Sequence, residues 1–365
     1  MPVAASPSNA ASRVLESAQY INTHSIDVFV PEAGVRQAAH EILSRMKRTG
    51  YSTAEWKKHA LTPSIADSAA IEWIFVVDTL NFSFWTARAR ECEQYAVSLD
   101  GTVYRGYWSL CAAVNRAQRE GVDITRAACY ACASDEQLAH VFRTDDPDMQ
   151  EQIPLLADRI QCLREVGRVL LDKYEGKFAN MLKQCNGSAQ TLVETVVREF
   201  ACFRDEHEFR GRRVDMYKRA QILVADIWAC FEGQGLGRFE DIDKITMFAD
   251  YRVPQALYHF GALTYSPRLL EFLKKSEVAV RQGTEVIQHK VSEGLEPGLL
   301  PAGHPWEVEI RGNSIWAVER IRQHILATGA NVNAILIDFY MWDYAKAHAE
   351  SMRTIPIHLT RSIFY

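Results

Sequence analysis

The sequence predicts a mainly α fold with one small β-hairpin, and three observations carry that prediction. Apolar residues recur at spacings of three and four through most of the 365-residue chain, which is the period of a helix with one face on a core. One clearly alternating stretch, YAVSLDGTVYRGY at 95–107, has Asp100-Gly101 at its centre, a pair suited to a two-residue hairpin turn. Pro and Gly punctuate the periodic runs, most densely in LEPGLLPAGHPW, and such clusters mark connections.

Taken in order, the chain opens with MPVAASPSNAAS, whose composition reads as a disordered tail over residues 1–12 and lacks the basic-then-apolar order of a signal peptide. Residues 13–365 form one large helical domain or two intimate subdomains. Helices are predicted at 14–22 and 32–48, the second ending in charge before Gly50, and Ser52 and Thr53 offer a cap for the next turn. Residues 71–85, IEWIFVVDTLNFSFW, are the most apolar stretch, with Asp78 and Asn81 set among Phe82, Phe84 and Trp85. Those polar groups either satisfy each other in the core or edge a pocket for a flat heterocycle. After the hairpin, helices are expected at 108–118, around the Cys129/Cys132 pair, at 153–174, 178–185 and 189–203, with Ser188 as a cap. FRDEHEFRGRR at 203–213 reads as a charged loop that solvates His207. Tyr107 and Trp108 read as core. Helices at 267–275, 278–293, 308–326 and 331–352 complete the chain.

The stretch VDMYKRAQILVADIWACFEGQGLGRFEDIDKITMFADYRVPQALYHFG, 214–261, organises the rest. Val214, Tyr217, Gln221, Val224, Trp228 and Phe231 trace one helical stripe. Gly233, Gly235 and Gly237 follow as a close-approach turn, a second helix is expected from Asp241, and Pro254 opens a third. Lys218, Asp226 and Asp250 lie beside apolar residues. A buried charge costs several kcal/mol unless paired, so each is partnered or functional. A lysine and a downstream aspartate around a glycine turn are also the parts of helix-hairpin-helix base-excision glycosylases. Asp226 reads as a structural carboxylate whose partner must come from another element. Asp338 and Asp343 stay open between caps and pocket carboxylates.

Composition narrows the function. Hydrophobic content of 48% and charged content of 24% are those of a soluble globular protein. A net charge of −5 argues against tracking nucleic-acid phosphates, which needs a basic footprint, and leaves room for a small anionic ligand. Eight scattered cysteines with a single CxxC point to packed thiols in the cytosol or nucleus rather than to zinc. No run reaches the ~20 apolar residues of a membrane span. No Walker loop, nucleophile elbow or HExxH is present, so neither a cofactor nor a metal is expected.

DMYKRAQILVADIWACFEGQGLGRFEDIDKITMFADYRVPQALYHFGALTYS, with VVDTLNFSFW and GTVYRGYWSL upstream and HLTRSIFY at the end, closely resembles the queuosine salvage protein family over nearly the whole chain. The enzymes of that family are queuosine 5′-phosphate N-glycosylase/hydrolases. The resemblance implies an all-helical fold with a core related to DNA glycosylases, and hydrolysis of queuosine 5′-monophosphate to queuine and ribose 5-phosphate. It implies a small-molecule nucleotide as partner, with no stable nucleic-acid complex. Breaking an N-glycosidic bond builds positive charge on the sugar, and Asp250 in MFADYRVPQ is the carboxylate expected to stabilise it or to activate water. Lys218 is expected to support Asp250 or to hold the 5′-phosphate, with Arg252 and Arg361 as further phosphate candidates. Asp78, Asn81, Phe82, Phe84 and Trp85 are the candidates for the base. Two rivals share these parts: a glycosylase that flips a base out of DNA or tRNA, and a non-catalytic carrier of queuine or its nucleotide.

Overall fold

Helices alternate with two-stranded pairings in the computed structural model, which describes residues 10–86, 94–146, 151–281 and 299–365. Helix α1 (Ala10–His24), strand β1 (Val28–Phe29) and α2 (Glu32–Thr49) come first, followed by a 3-10 turn (Thr53–Lys58) capped by Ser52 and by α3 (Ser68–Thr79). Strands β2 (Ala96–Leu99) and β3 (Thr102–Arg105) pair antiparallel around Asp100-Gly101, as the alternation predicts. Helices α4 (Tyr107–Arg119), α5 (Ala127–Cys132), α6 (Asp135–Val141), α7 (Leu156–Lys173), α8 (Phe178–Gln184) and α9 (Ala189–Glu199) follow. Ser188 caps α9 by accepting from Thr191 N at 3.1 Å, replacing a bond the first turn lacks.

Strands β4 (Glu206–Phe209) and β5 (Arg212–Asp215) then lead into α10 (Lys218–Cys230), α11 (Val253–His259), β6 (Thr264–Tyr265), α12 (Pro267–Arg281), α13 (Pro305–Leu326) and α14 (Ala334–Ala347). Helix α13 runs through the middle, against α1, α2, α11 and α14. Its Val308, Ile310, Ile315, Val318 and Ile321 are almost wholly buried, each contributing about 1.5–3 kcal/mol of transfer free energy. β1 and β6 pair antiparallel, Val28 opposite Tyr265.

Four expectations are corrected here. Ala10 to Ser12 are helical rather than part of a tail, and residues 1–9 lie outside the described residues. The charged stretch at 203–213 is largely a hairpin, His207 opposite Val214, turned at Arg210-Gly211 with φ of 52° and 75°; its charges conceal the period of two. That strand takes Val214 and Asp215, so the central helix begins at Lys218. No helix starts at Asp241. A 3-10 turn (Ile242–Lys244) gives way to extended backbone, because Thr246 N donates to Gln221 Oε1 and Phe248 N to Asp338 Oδ2, both at 3.0 Å. Side chains of α10 and α14 thus take the amides a helix would have used. The expected helix at 278–293 falls mostly outside the described residues, since α12 is described to Arg281. The glycine turn is as close as its composition suggests: a Cβ on Gly237 would meet Phe231 Cβ at 2.4 Å and Ile227 O at 2.7 Å.

Candidate active site

A cleft of ≈ 1620 Å³ opens between α10, α14, the start of α4, the 53–58 turn and the extended segment before α11. Two helices give it their polar stripes. Lys218, Ile222 and Asp226 face it from α10, and Asp338, Trp342 and Lys346 from α14, each set spaced by four residues as one helix face requires. Asn81, Phe84 and Trp85 enter from the segment after α3, and Tyr107 and Trp108 from the first turn of α4.

Asp250 stands on the wall, half-buried, at the mouth of α11. Its Oδ1 accepts from Arg252 N and Val253 N, each at 2.8 Å. No hydrogen bond within the protein engages Oδ2 among the described residues, so one oxygen is pinned and the other is open to the cleft. Burial raises the Asp250 pKa, while Lys218 and the two amides oppose the rise. Lys218, the first residue of α10, is 5% exposed. Its Nζ donates to Asn81 O at 3.1 Å and approaches Asn81 Oδ1 at 3.4 Å. Burial lowers its pKa, against the pull of Asp250 and Asp78.

Three more carboxyls crowd this end of the cleft. Asp78 lies behind Asn81, whose Nδ2 donates to Asp78 Oδ1 at 3.1 Å, and burial pushes it up to about 7. Asp226 is raised well above the carboxylate range, by burial and then by the charge of Asp78, with the Trp56 indole as its polar neighbour. Asp338 is raised by burial and by Asp250. Four carboxyls thus surround one ammonium, and each holds its proton more tightly than it would in water. Clusters of this kind are where acid–base and electrostatic catalysis are found.

Behind the cleft lies a second network. Arg311, fully buried on α13, donates from Nη1 and Nη2 to Asp205 at 2.9 and 2.6 Å, and from Nε to Ala249 O at 2.9 Å. Asp205 Oδ2 accepts from Lys218 N at 3.1 Å. Arg311 therefore ties the residue before Asp250 to the residue that starts α10. The pair is fixed in relation to each other by a clamp that touches neither side chain. His207 belongs to the clamp, its Nε2 3.1 Å from Asp205 Oδ1, which corrects its reading as a solvated loop residue.

The structure brings most of the sequence-predicted residues together and sets others apart. Lys218, Asp250, Asn81, Phe84, Trp85 and Arg252 line the cleft, and Asp78 stands behind Asn81. Phe82 does not line it; the ring is wholly buried under the guanidiniums of Arg159 and Arg219, at 4.3 and 5.0 Å. Arg361 packs 3.5 Å over Trp85 and donates to Ser83 O at 3.4 Å, docking the last residues of the chain against the site. Tyr107 and Trp108, read as core, line the cleft instead, as do Asp226, Asp338 and Asp343. Trp56, Trp342 and Lys346 were not singled out in the sequence. The last two share a face with Asp338, four and eight residues on, and that spacing was the available signal.

Over residues 61–292 and 285–365 the sequence matches the family described as queuosine salvage protein. This chain belongs to the queuosine salvage protein family. Relatives within it extend across kingdoms. A Mus musculus protein named queuosine 5′-phosphate N-glycosylase/hydrolase is 45% identical over 358 residues, covering 96% of this chain and 98% of the relative. Proteins of the same name from Schizosaccharomyces pombe (42% identical; 97% and 100% covered) and Sphaerobacter thermophilus (35% identical; 97% and 95% covered) also match. The cleft described above is the candidate active site of a queuosine salvage family member. None of its helices, among the described residues, is long and apolar enough to cross a membrane.

Proposed function

We propose that this chain hydrolyses the N-glycosidic bond of queuosine 5′-monophosphate, releasing queuine and ribose 5-phosphate, with Asp250 as the carboxylate at the reacting carbon. The observation that carries the assignment of Asp250 is its pair of oxygens, one pinned by the amides of Arg252 and Val253 and one open to the cleft. As the C1′–N9 bond lengthens, its electron pair goes to the base and positive charge grows on C1′ and the ring oxygen. Asp250 stabilises that charge in a site of low dielectric, where a preorganised anion acts far more strongly than in water. A water adds its oxygen to C1′ and gives a proton to Asp250; Asp250 releases that proton to solvent and the departing base nitrogen takes one from solvent, so one water is consumed and Asp250 is restored.

Lys218 favours the ionised form of Asp250 against the effect of burial, and the Asn81 contacts fix its direction. Trp85, Phe84 and Tyr107 supply ring faces for the base, and the raised carboxyl of Asp226, which lines the cleft, serves a hydrogen-bonding base edge and its aminomethyl group, while Asp78 acts from behind through Asn81. In the helix-hairpin-helix reading, α10, the glycine turn and α11 carry the lysine before the turn and the aspartate after it.

The experiment incubates the purified protein with queuosine 5′-monophosphate and separates released queuine by chromatography. Release by wild type supports the reading. Tight binding of the nucleotide without release leaves a carrier and removes the enzyme. Preferential release from intact tRNA would favour the base-flipping rival.

A further inference from the structure

The segment that follows α3 carries Asn81, Phe84 and Trp85 to the cleft, and residues 81–86 have no regular structure of their own. Other elements set its course. Five successive carbonyls, those of Thr79 to Ser83, each accept from a cationic side chain: Arg219, Arg159, Lys218, Arg159 again and Arg361. A buried irregular backbone needs such partners, because its polar groups are costly to leave unpaired.

Ser83 is the bend in this segment. It is wholly buried, and its φ of 50° lies in the left-handed region. In extended backbone, residues 82 and 84 would share a face. Here Phe82 is buried under Arg159 and Arg219 while Phe84 reaches the cleft, and the left-handed residue between them turns one away from the other. Glycine takes such a φ freely, whereas a serine there is strained and persists only where its surroundings fix it. Residues 360–365 do so. Ser83 Oγ donates to Ser362 O at 2.8 Å and accepts from Ser362 N at 3.1 Å, and Ser83 N donates to Tyr365 O at 2.9 Å. Trp85 Nε1 adds a bond to Thr360 O at 2.8 Å. That stretch rests in turn on the clamp, with the Arg311 guanidinium 4.0 Å from the centroid of the Tyr365 ring.

We infer that Ser83 is a positioning residue: its lock to residues 360–365 directs Phe84 and Trp85 into the cleft as the wall for the base and holds Asn81 on Lys218. This rests on the hydrolase reading above. A glycine would suit the bend but could make neither hydroxyl bond, so the serine accepts strain in return for a fixed direction of the segment. Through Tyr365 the clamp also reaches the base wall, since Arg311 bonds Ala249 O and Asp205 on one side and lies over that ring on the other. Base affinity is thus set by contacts that the ligand never touches.

The test uses Ser83→Gly, which leaves the backbone free to adopt the bend and removes both hydroxyl bonds, with Ser83→Ala beside it. Calorimetry measures queuine and ribose 5-phosphate on each protein, and hydrogen exchange compares the amides of 80–86 and 360–365 with those of α10 and α13. Loss of both hydroxyl bonds is expected to weaken queuine about tenfold in each variant, with ribose 5-phosphate within about twofold of wild type. Exchange is expected to quicken at 80–86 and 360–365 alone. Queuine affinity in Ser83→Gly equal to that of wild type would overturn the proposal. An equal loss for both ligands, with faster exchange throughout, would also overturn it and leave a merely structural residue. If wild type neither releases nor binds queuine, the hydrolase reading fails and the base wall with it. Exchange then judges the lock by itself, and rates at 80–86 unchanged in Ser83→Gly would remove it.

Discussion

Two buried polar clusters lie back to back in this protein, and they are built on opposite rules. In the clamp, Arg311 faces Asp205, Glu307 and His207, and its bonds also reach Ala249 O. Burial alone would raise Asp205, yet Arg311 and His207 hold it well below the carboxylate range, and Arg311 is itself raised. In the cleft, Asp78, Asp226, Asp250 and Asp338 share one ammonium, and all four are raised. The clamp is satisfied and rigid. The acidic end of the cleft has more carboxyls than positive charge, and a substrate that becomes cationic at C1′ supplies what is missing there. Identical residue types thus serve structure or chemistry according to whether their charges are balanced before the ligand arrives.

The comparison breaks first at Asp250. Asp250→Asn keeps an oxygen for the two amides but removes the charge, and kcat is expected to fall about a thousandfold or more with nucleotide binding largely retained. Queuine release and calorimetry measure the two. Equal turnover by both proteins would move the chemistry to another carboxyl.

The clamp is probed by stability. Arg311→Met strands Asp205 without its main partner, and loss of one member of a buried pair costs about 3–5 kcal/mol. Urea unfolding is expected to show that loss. A variant as stable as wild type would mean that the network is dispensable.

Lys218→Met should lower kcat about a hundredfold while costing less stability than Arg311→Met, because the carboxyls around it can take up protons. Its pH–rate profile is expected to shift to higher pH on the limb that ionises Asp250, since the ammonium that favoured ionisation is gone. A profile unchanged in position would separate Lys218 from Asp250.

Asp78 gives the smallest effect and a sharp sign. Its folded pKa of about 7 lies above the ordinary 3.8. Between those values the folded protein keeps a proton that the unfolded chain has lost, so stability falls as pH rises through that window. Asp78→Asn is expected to flatten this decline and to be about 1–2 kcal/mol more stable than wild type at pH 8. Unfolding curves at pH 5 and pH 8 decide it. Parallel pH dependence in both proteins would contradict the raised carboxyl.

What was legible in the sequence followed from local rules. Asp100-Gly101 specified its hairpin, Ser188 capped its helix, and Lys218 and Asp250 were visible as charges set into apolar runs. The residues missed depend on distant partners. Segment 245–250 is extended because Gln221 and Asp338 take its amides, which no local window contains. Helix α14 is apolar on most sides, so the spacing of four that joins Asp338, Trp342 and Lys346 is the one trace of their shared face. His207 looked solvated because its neighbours in sequence are charged, whereas its neighbours in space are Asp205 and Arg311.

The most direct test of the unbalanced cleft is the affinity of a cationic ribose mimic. Calorimetry would compare the 5-phosphate of 1,4-dideoxy-1,4-imino-D-ribitol, protonated at the ring nitrogen that replaces the ring oxygen sharing the oxocarbenium charge with C1′, with the neutral 1,4-anhydroribitol 5-phosphate. The account predicts that wild type binds the cation about a hundredfold more tightly or better, and that Asp250→Asn loses most of that preference. Equal affinity of wild type for the two compounds would contradict it.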